Sequence, residues 1–284
     1  MNDMTDTDMS EFWNGEGGKN WLRFQETMEP SLLPFGRMTM AAAGISAGES
    51  VLDVGCGCGD TSFELARRIG PDSRVLGIDI SEPILAYAKA RARSVVERNL
   101  EFECGDAQSL SFEAAAFDVV FSRFGVMFFD DPVAAFGNLR QALRSGGRMA
   151  FICWQTAMEN EWVSKSFDVV ASYVPLPPPP DPDEPGPLSF GDPERVKRIL
   201  TAAGFCDIAI ESFSAPFTIG ASLDEAVAFL TQLAPASGAI AQSGADDAIK
   251  SRIAVDLREA LAPYDTGPGV TMDSATWIVT ARNA

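Results

Sequence analysis

Between residues 50 and 154 short apolar runs alternate with capped amphipathic segments, and that alternation restricts the chain to a few architectures. "SVLDVG", "RVLGIDI", "LEFECGD", "FDVVFSRFG" and "RMAFICW" read as buried strands. Helices are expected between them: "DTSFELARRIG", stopped by Gly70-Pro71; "SEPILAYAKARARSVV", with Ser81 as N-cap and Pro83 in the first turn; and "DPVAAFGNLRQALRSGG", ended by its glycines. Strands joined through helices pair in parallel by right-handed crossovers. The expected fold is therefore α/β, a doubly wound sheet whose ligands bind at the carboxyl ends of its strands beside the switch point.

Beyond Trp154 the alternation stops. "ENEWVSKSFDVVASYV" reads as a helix, "PLPPPPDPDEPGPLSF" as a connector barred from helix and central strand, and "DPERVKRILTAAGF" as a helix capped by Asp192 and stopped near Gly204. "CDIAIESFSAPFTIG" and "GVTMDSATWIVTAR" add two strands, for a sheet of seven, mostly parallel with an antiparallel last strand. The helices between these two, "SLDEAVAFLTQLA" and "DDAIKSRIAVDLREALAPY", are expected to form a lid. Ahead of the sheet, Trp13, Trp21, Phe24 and Met28 fall on one side of a helical stretch that Pro30 and Pro34 are expected to break. The implied organisation is a helical cap over 1–45, a ligand-binding core over 46–155, and the remaining strands with an inserted helical lid over 156–284.

Composition narrows the function. Forty acidic and 22 basic side chains leave a formal charge of −18, which repels phosphate backbones and argues against nucleic acid. Without any histidine, the chain has no Ser-His-Asp or Cys-His arrangement and lacks the usual imidazole metal ligands. Five cysteines, an odd number, suit a reducing compartment. The opening "MNDMTDTDMSE" is acidic rather than a secretory leader, and no apolar run is long enough to span a membrane; a cytoplasmic location is expected.

The chemistry concentrates in "DVGCGCGD", residues 53–60. Glycines at 55, 57 and 59 between a strand and a helix let a ligand approach the backbone. A dinucleotide fingerprint would need its third glycine at position 60, which is Asp60, so NAD is disfavoured. Cys56 and Cys58 have no second close pair and no histidine to complete a metal site; none is expected. Asp79 closes the second strand twenty positions past Gly59 (79 − 59), where a carboxylate can accept both ribose hydroxyls, and Asp106 closes the third, within reach of an adenine amine. Each acid alone would as readily cap the next helix.

Taken together, "VLDVGCGCGD", "GIDIS", "CGDAQSL", "FDVVFSRFGVMFFDD" and "LRSGGRMAFICW" resemble the successive motifs of class I S-adenosylmethionine-dependent methyltransferases, of the type-11 kind related to quinone-biosynthesis enzymes. "FWNGEGGKNWLRFQE" is similar to the leading cap of bacterial small-molecule members. The resemblance implies a Rossmann-like core, S-adenosylmethionine as cofactor and S-adenosylhomocysteine as product. It further implies that Gly55, Cys56 and Gly57 form the loop at the methionine part, with Asp53 supporting it. Asp79 would hold the ribose, Ile80, Gly105, Asp106 and Ala107 would surround the adenine, Ser122 would lie beside the sulfonium, and Trp13 and Trp21 would close from above.

Methyl transfer needs alignment and exclusion of water more than a strong base, so a histidine-free chain can perform it. Candidate acceptor-binding residues are Arg123, Phe124, Met127 and Trp154, with Phe128 and Phe129 equally readable as core. Arg123 could hold an acidic group of the acceptor or a phenolate, or pair with one of the many surface carboxylates. No catalytic residue is singled out. The expectation is methyl transfer to a small, partly apolar acceptor, O-, N- or C-, by a monomer or homodimer. Two rivals stand beside it, an NAD(P)-dependent oxidoreductase and a non-catalytic regulatory module that binds the same cofactor.

Overall fold

The computed structural model describes residues 9–94, 99–178 and 184–284. Its elements are α1 (Met9–Asn14), α2 (Glu16–Ala42), β1 (Ser50–Val54), α3 (Asp60–Ile69), β2 (Arg74–Asp79), α4 (Glu82–Ala92), β3 (Leu100–Cys104), β4 (Phe117–Arg123), α5 (Pro132–Ala142) and β5 (Leu143–Trp154). They continue with α6 (Glu161–Ala171), α7 (Pro193–Ala202), β6 (Cys206–Gly220), α8 (Leu223–Gln232), α9 (Ala236–Gln242), α10 (Asp247–Leu261) and β7 (Val270–Arg282). Residues 1–8 of the acidic opening, Val95 and Val96 at the end of the expected fourth-helix segment, and residues 179–183 of the proline-rich connector lie outside the described residues.

The seven strands form one sheet in the order β3-β2-β1-β4-β5-β7-β6. β3, β2, β1, β4 and β5 run parallel, and β7 pairs antiparallel with both β5 and β6, as the sequence predicts. Both faces are covered: Val51, Val75, Val119 and Phe121 point into one apolar cluster, Leu52, Val54, Ile78 and Val120 into the other. This explains why the central strands read as nearly continuous apolar runs. Because β1 lies between β2 and β4, the chain reverses direction across the sheet at the carboxyl ends of β1 and β4, which opens a crevice there.

Two local expectations fail for physical reasons. α2 runs unbroken through Pro30 and Pro34. The prolines sit one turn apart on its exposed side, so the carbonyls they leave unbonded face water. Phe24, Met28, Leu32 and Phe35 are fully buried on the opposite side. Their burial, at roughly 2 kcal/mol each, offsets two prolines at about 3 kcal/mol each. The helix expected to end at Gly146 and Gly147 stops instead at Ala142, and "LRSGG" belongs to β5, where Leu143 already pairs with Phe117. Between β6 and β7 lie α8 and α10, where the sequence predicts two helices, with the additional short α9. Among the described residues no helix is long and apolar enough to cross a membrane.

Candidate active site

β1 ends in a turn that only glycine fits. Gly55 has φ +66°, and a Cβ on it would lie 2.7 Å from the Cα of Gly125, so the ends of β1 and β4 meet backbone to backbone. Gly57, at φ +56°, donates its N–H to Asp79 Oδ2 at 2.8 Å, while Asp79 Oδ1 accepts the Ser81 N–H at 2.9 Å. The acid thus joins the glycine loop to the β2–α4 turn, with acceptor capacity left for a ligand. Desolvation lifts its carboxyl above the ordinary range, opposed by those backbone N–H groups.

Asp53 lies beneath the loop and does not face the cavity. Thr61 and Ser62 donate to its Oδ2 at 2.7 and 2.6 Å, while Oδ1 is buried with no hydrogen-bond partner. Burial pushes this carboxyl up to about 6. A carboxyl whose folded-state pKa exceeds its unfolded one stabilises the fold when protonated, and that contribution is lost as pH rises from about 4 to 6. The loss amounts to ~3 kcal/mol. Asp53→Asn, whose amide oxygen can accept both hydroxyls without titrating, should therefore gain Tm relative to the native protein between pH 4.5 and 8. Parallel Tm curves for the two proteins across that range would refute the assignment.

Besides Asp53, two residues of the sequence-derived set turn away from the ligand space. Cys56 is buried behind the loop, its N–H donating to the Ile78 carbonyl, and burial raises its thiol far above neutrality. Cys58 is pushed up to about 12 for the same reason, so both remain neutral packing thiols. Ser122 donates to the Val54 carbonyl at 2.7 Å and accepts the Gly125 N–H at 3.2 Å. Its hydroxyl braces β1 against β4 instead of facing a reacting centre.

The others converge on one cavity of about 730 Å³, within the range of small-molecule sites. Gly55, Gly57, Asp79, Ile80, Gly105, Asp106 and Ala107 line one end. Trp13 and Trp21 roof it, ring to ring at 6.3 Å, and Phe128 meets Trp13 edge-on at 5.1 Å. Arg123, Phe124, Met127 and Trp154 line the cavity as well. There Phe124 stacks on Trp154 with centroids 4.2 Å apart and planes at 12°, from a backbone held at φ +61°. Left-handed geometry in a bulky aromatic costs on the order of 1–3 kcal/mol, and the ring is held there by Trp154 and the edge of Phe35.

Arg123 pairs with a carboxylate of the protein, but a buried one instead of a surface one. Its guanidinium donates to both oxygens of Glu29 on α2 at 2.7 Å, with only 9% and 12% of the two side chains exposed. Burial raises the Glu29 carboxyl and Arg123 opposes it. Sequence reasoning missed Gln108, which bridges Asp106 and the Asp131 N–H, and the apolar far wall of Met28, Leu32, Trp162, Phe217 and Phe229. Phe128 and Phe129, readable as core, also line the cavity.

A strand-end glycine loop, an acid at the end of each of the next two strands and an aromatic roof define a nucleotide-type site at the switch point of a doubly wound sheet. Comparison with known proteins gives that class a name. A family profile described as a methyltransferase domain matches residues 51–147. The chain is 37% identical over 119 residues to a demethylmenaquinone methyltransferase of Lactococcus lactis, an alignment spanning 42% of this chain and 46% of that protein. To the demethylmenaquinone methyltransferase of Staphylococcus aureus it is 30% identical over 188 residues, 63% of this chain and 76% of the relative. In fold it is similar to the YcgJ protein of Bacillus subtilis, with TM-score 0.57 and 17% identity over 89% of this chain and 98% of that one. The chain belongs to the class I S-adenosylmethionine-dependent methyltransferases.

Proposed function

We propose that this protein methylates a small, largely apolar acceptor held at the aromatic end of the cavity. The observation that carries the reading is continuity: the glycine-and-acid end and the aromatic end are two parts of one space. The residues fit the cofactor. Gly55 leaves room only for backbone beside Gly125, and the partnerless Asp53 Oδ1 supplies negative charge beneath a loop that would receive the cofactor's ammonium-bearing part. Gly55 and Gly57 would line the methionine portion, Asp79 would accept from the ribose hydroxyls, and Ile80, Asp106 and Ala107 would enclose the adenine.

When bound, S-adenosylmethionine supplies an electrophilic methyl group for in-line displacement by the acceptor's electron pair. The protein's part is placement and exclusion of water. Trp13 and Trp21 would cover the cofactor end, and the Phe124–Trp154 stack would orient the acceptor. Aromatic faces near the sulfonium would tolerate its charge. The relatives are named for demethylmenaquinone, and the lining aromatics here support an acceptor with an apolar body.

Calorimetric titration with S-adenosylmethionine, S-adenosylhomocysteine and NAD, followed by transfer of labelled methyl to a panel of quinols, phenols, amines and charged metabolites, tests this. Binding of the first two and transfer to apolar members is expected. Binding of NAD alone, transfer only to charged acceptors, or binding without transfer to any of the panel would count against it.

A further inference from the structure

The stretch "FWNGEGG" is fastened to the turn that carries Asp79 and Ile80, and Asn14 fastens it. Its amide nitrogen donates to the Ile80 carbonyl at 3.1 Å and to the Ser10 carbonyl at 2.9 Å, while its amide oxygen accepts the Glu82 N–H at 2.9 Å in the first turn of α4. Beside it the Ser81 hydroxyl donates to the Trp13 carbonyl at 2.7 Å. Glycine makes the fit possible, since a Cβ on Gly18 would fall 2.1 Å from that carbonyl oxygen. α1 has no buried residue, so no core of its own keeps it in place. Yet Phe12 and Trp13, on this helix, line the cavity.

We propose that Asn14 is a positioning residue that latches α1 over the cavity, seats Trp13 over the bound cofactor and slows cofactor exchange. The amide side chain donates to Ile80 and accepts from Glu82 at once; an ionised aspartate could only accept, and alanine does neither. The latch grips the residues on either side of Ser81, whose N–H is held by Asp79 Oδ1. The cofactor's acid and the lid's anchor therefore share one turn. Opening α1 at Gly15 breaks the Asn14 bonds, and that event sets the release rate.

This inference rests on the proposed cofactor site, and its test separates the two. In full-length protein, labelled S-adenosylhomocysteine is bound and chased with unlabelled ligand. Asn14→Ala should release it about tenfold faster, raise KM for S-adenosylmethionine by a similar factor, and leave kcat and Tm nearly unchanged. Equal release rates, or a fall in kcat with KM unaltered, would overturn the latch. In the native protein, hydrogen exchange at the amides of residues 10–15 should slow when S-adenosylhomocysteine binds; unchanged exchange would also overturn it, independently of how the variant folds. Failure of the native protein to bind S-adenosylhomocysteine would instead remove the cofactor reading beneath it.

Discussion

Arg123→Met should destabilise the protein by about 3–5 kcal/mol, because it leaves the buried Glu29 carboxylate without the cation that is bonded to it. Glu29 and Arg123 are bonded at both ends and almost wholly enclosed, so water cannot replace the lost partner. Removing both charges, in Arg123→Met with Glu29→Leu, should recover most of the loss, since the cost of an uncompensated buried charge disappears with the charge. The pH dependence follows from the direction of the Glu29 shift. Desolvation already lifts its carboxyl above 4.5, and without Arg123 the rise is larger. A carboxyl raised in the folded state favours folding when protonated, so the single variant's deficit should be greatest at high pH and shrink as pH falls towards 4.5. Denaturant unfolding at several pH values measures this; a pH-independent deficit, or no rescue by the double variant, would show that the pair does not act as described.

Asp79→Ala should weaken S-adenosylmethionine binding at least about a hundredfold, as two charge-assisted hydrogen bonds to the cofactor would be lost at roughly 1.5–3 kcal/mol each. The same change also releases the Gly57 and Ser81 N–H groups that this carboxylate aligns, loosening the loop and the turn together. Asp79→Asn keeps one acceptor and should lose less. Calorimetry on folded variants gives the answer. Binding unchanged in the alanine variant would mean that the ribose is held elsewhere.

The readable part of the site is the part built from local chain. Gly55, Gly57 and Asp79 were legible because a positive φ, a close backbone approach and an acid at a strand end each leave a mark within a few residues of sequence. The parallel strands followed from the same local alternation, whereas their order came only with the structure. Ser122 is less legible, because strand position does not say where a hydroxyl turns: it bonds the Val54 carbonyl on the neighbouring strand. Cys56 was read as part of the loop, and its thiol packs behind that loop while its neighbours line the cavity.

By itself, the sequence determined the doubly wound core, the glycine cradle, the strand-end acids and the exclusion of histidine chemistry, all properties of short segments and composition. Tertiary structure alone decided that α2 survives two prolines, that Arg123 is spent on Glu29, and that Asn14 grips the Ile80 turn. It also gathered the apolar wall from α2, α6, β6 and α8. Each of these depends on where one element lies against another far away in the chain, and that is set by which apolar faces bury together, a sum over the whole molecule that no local spacing contains.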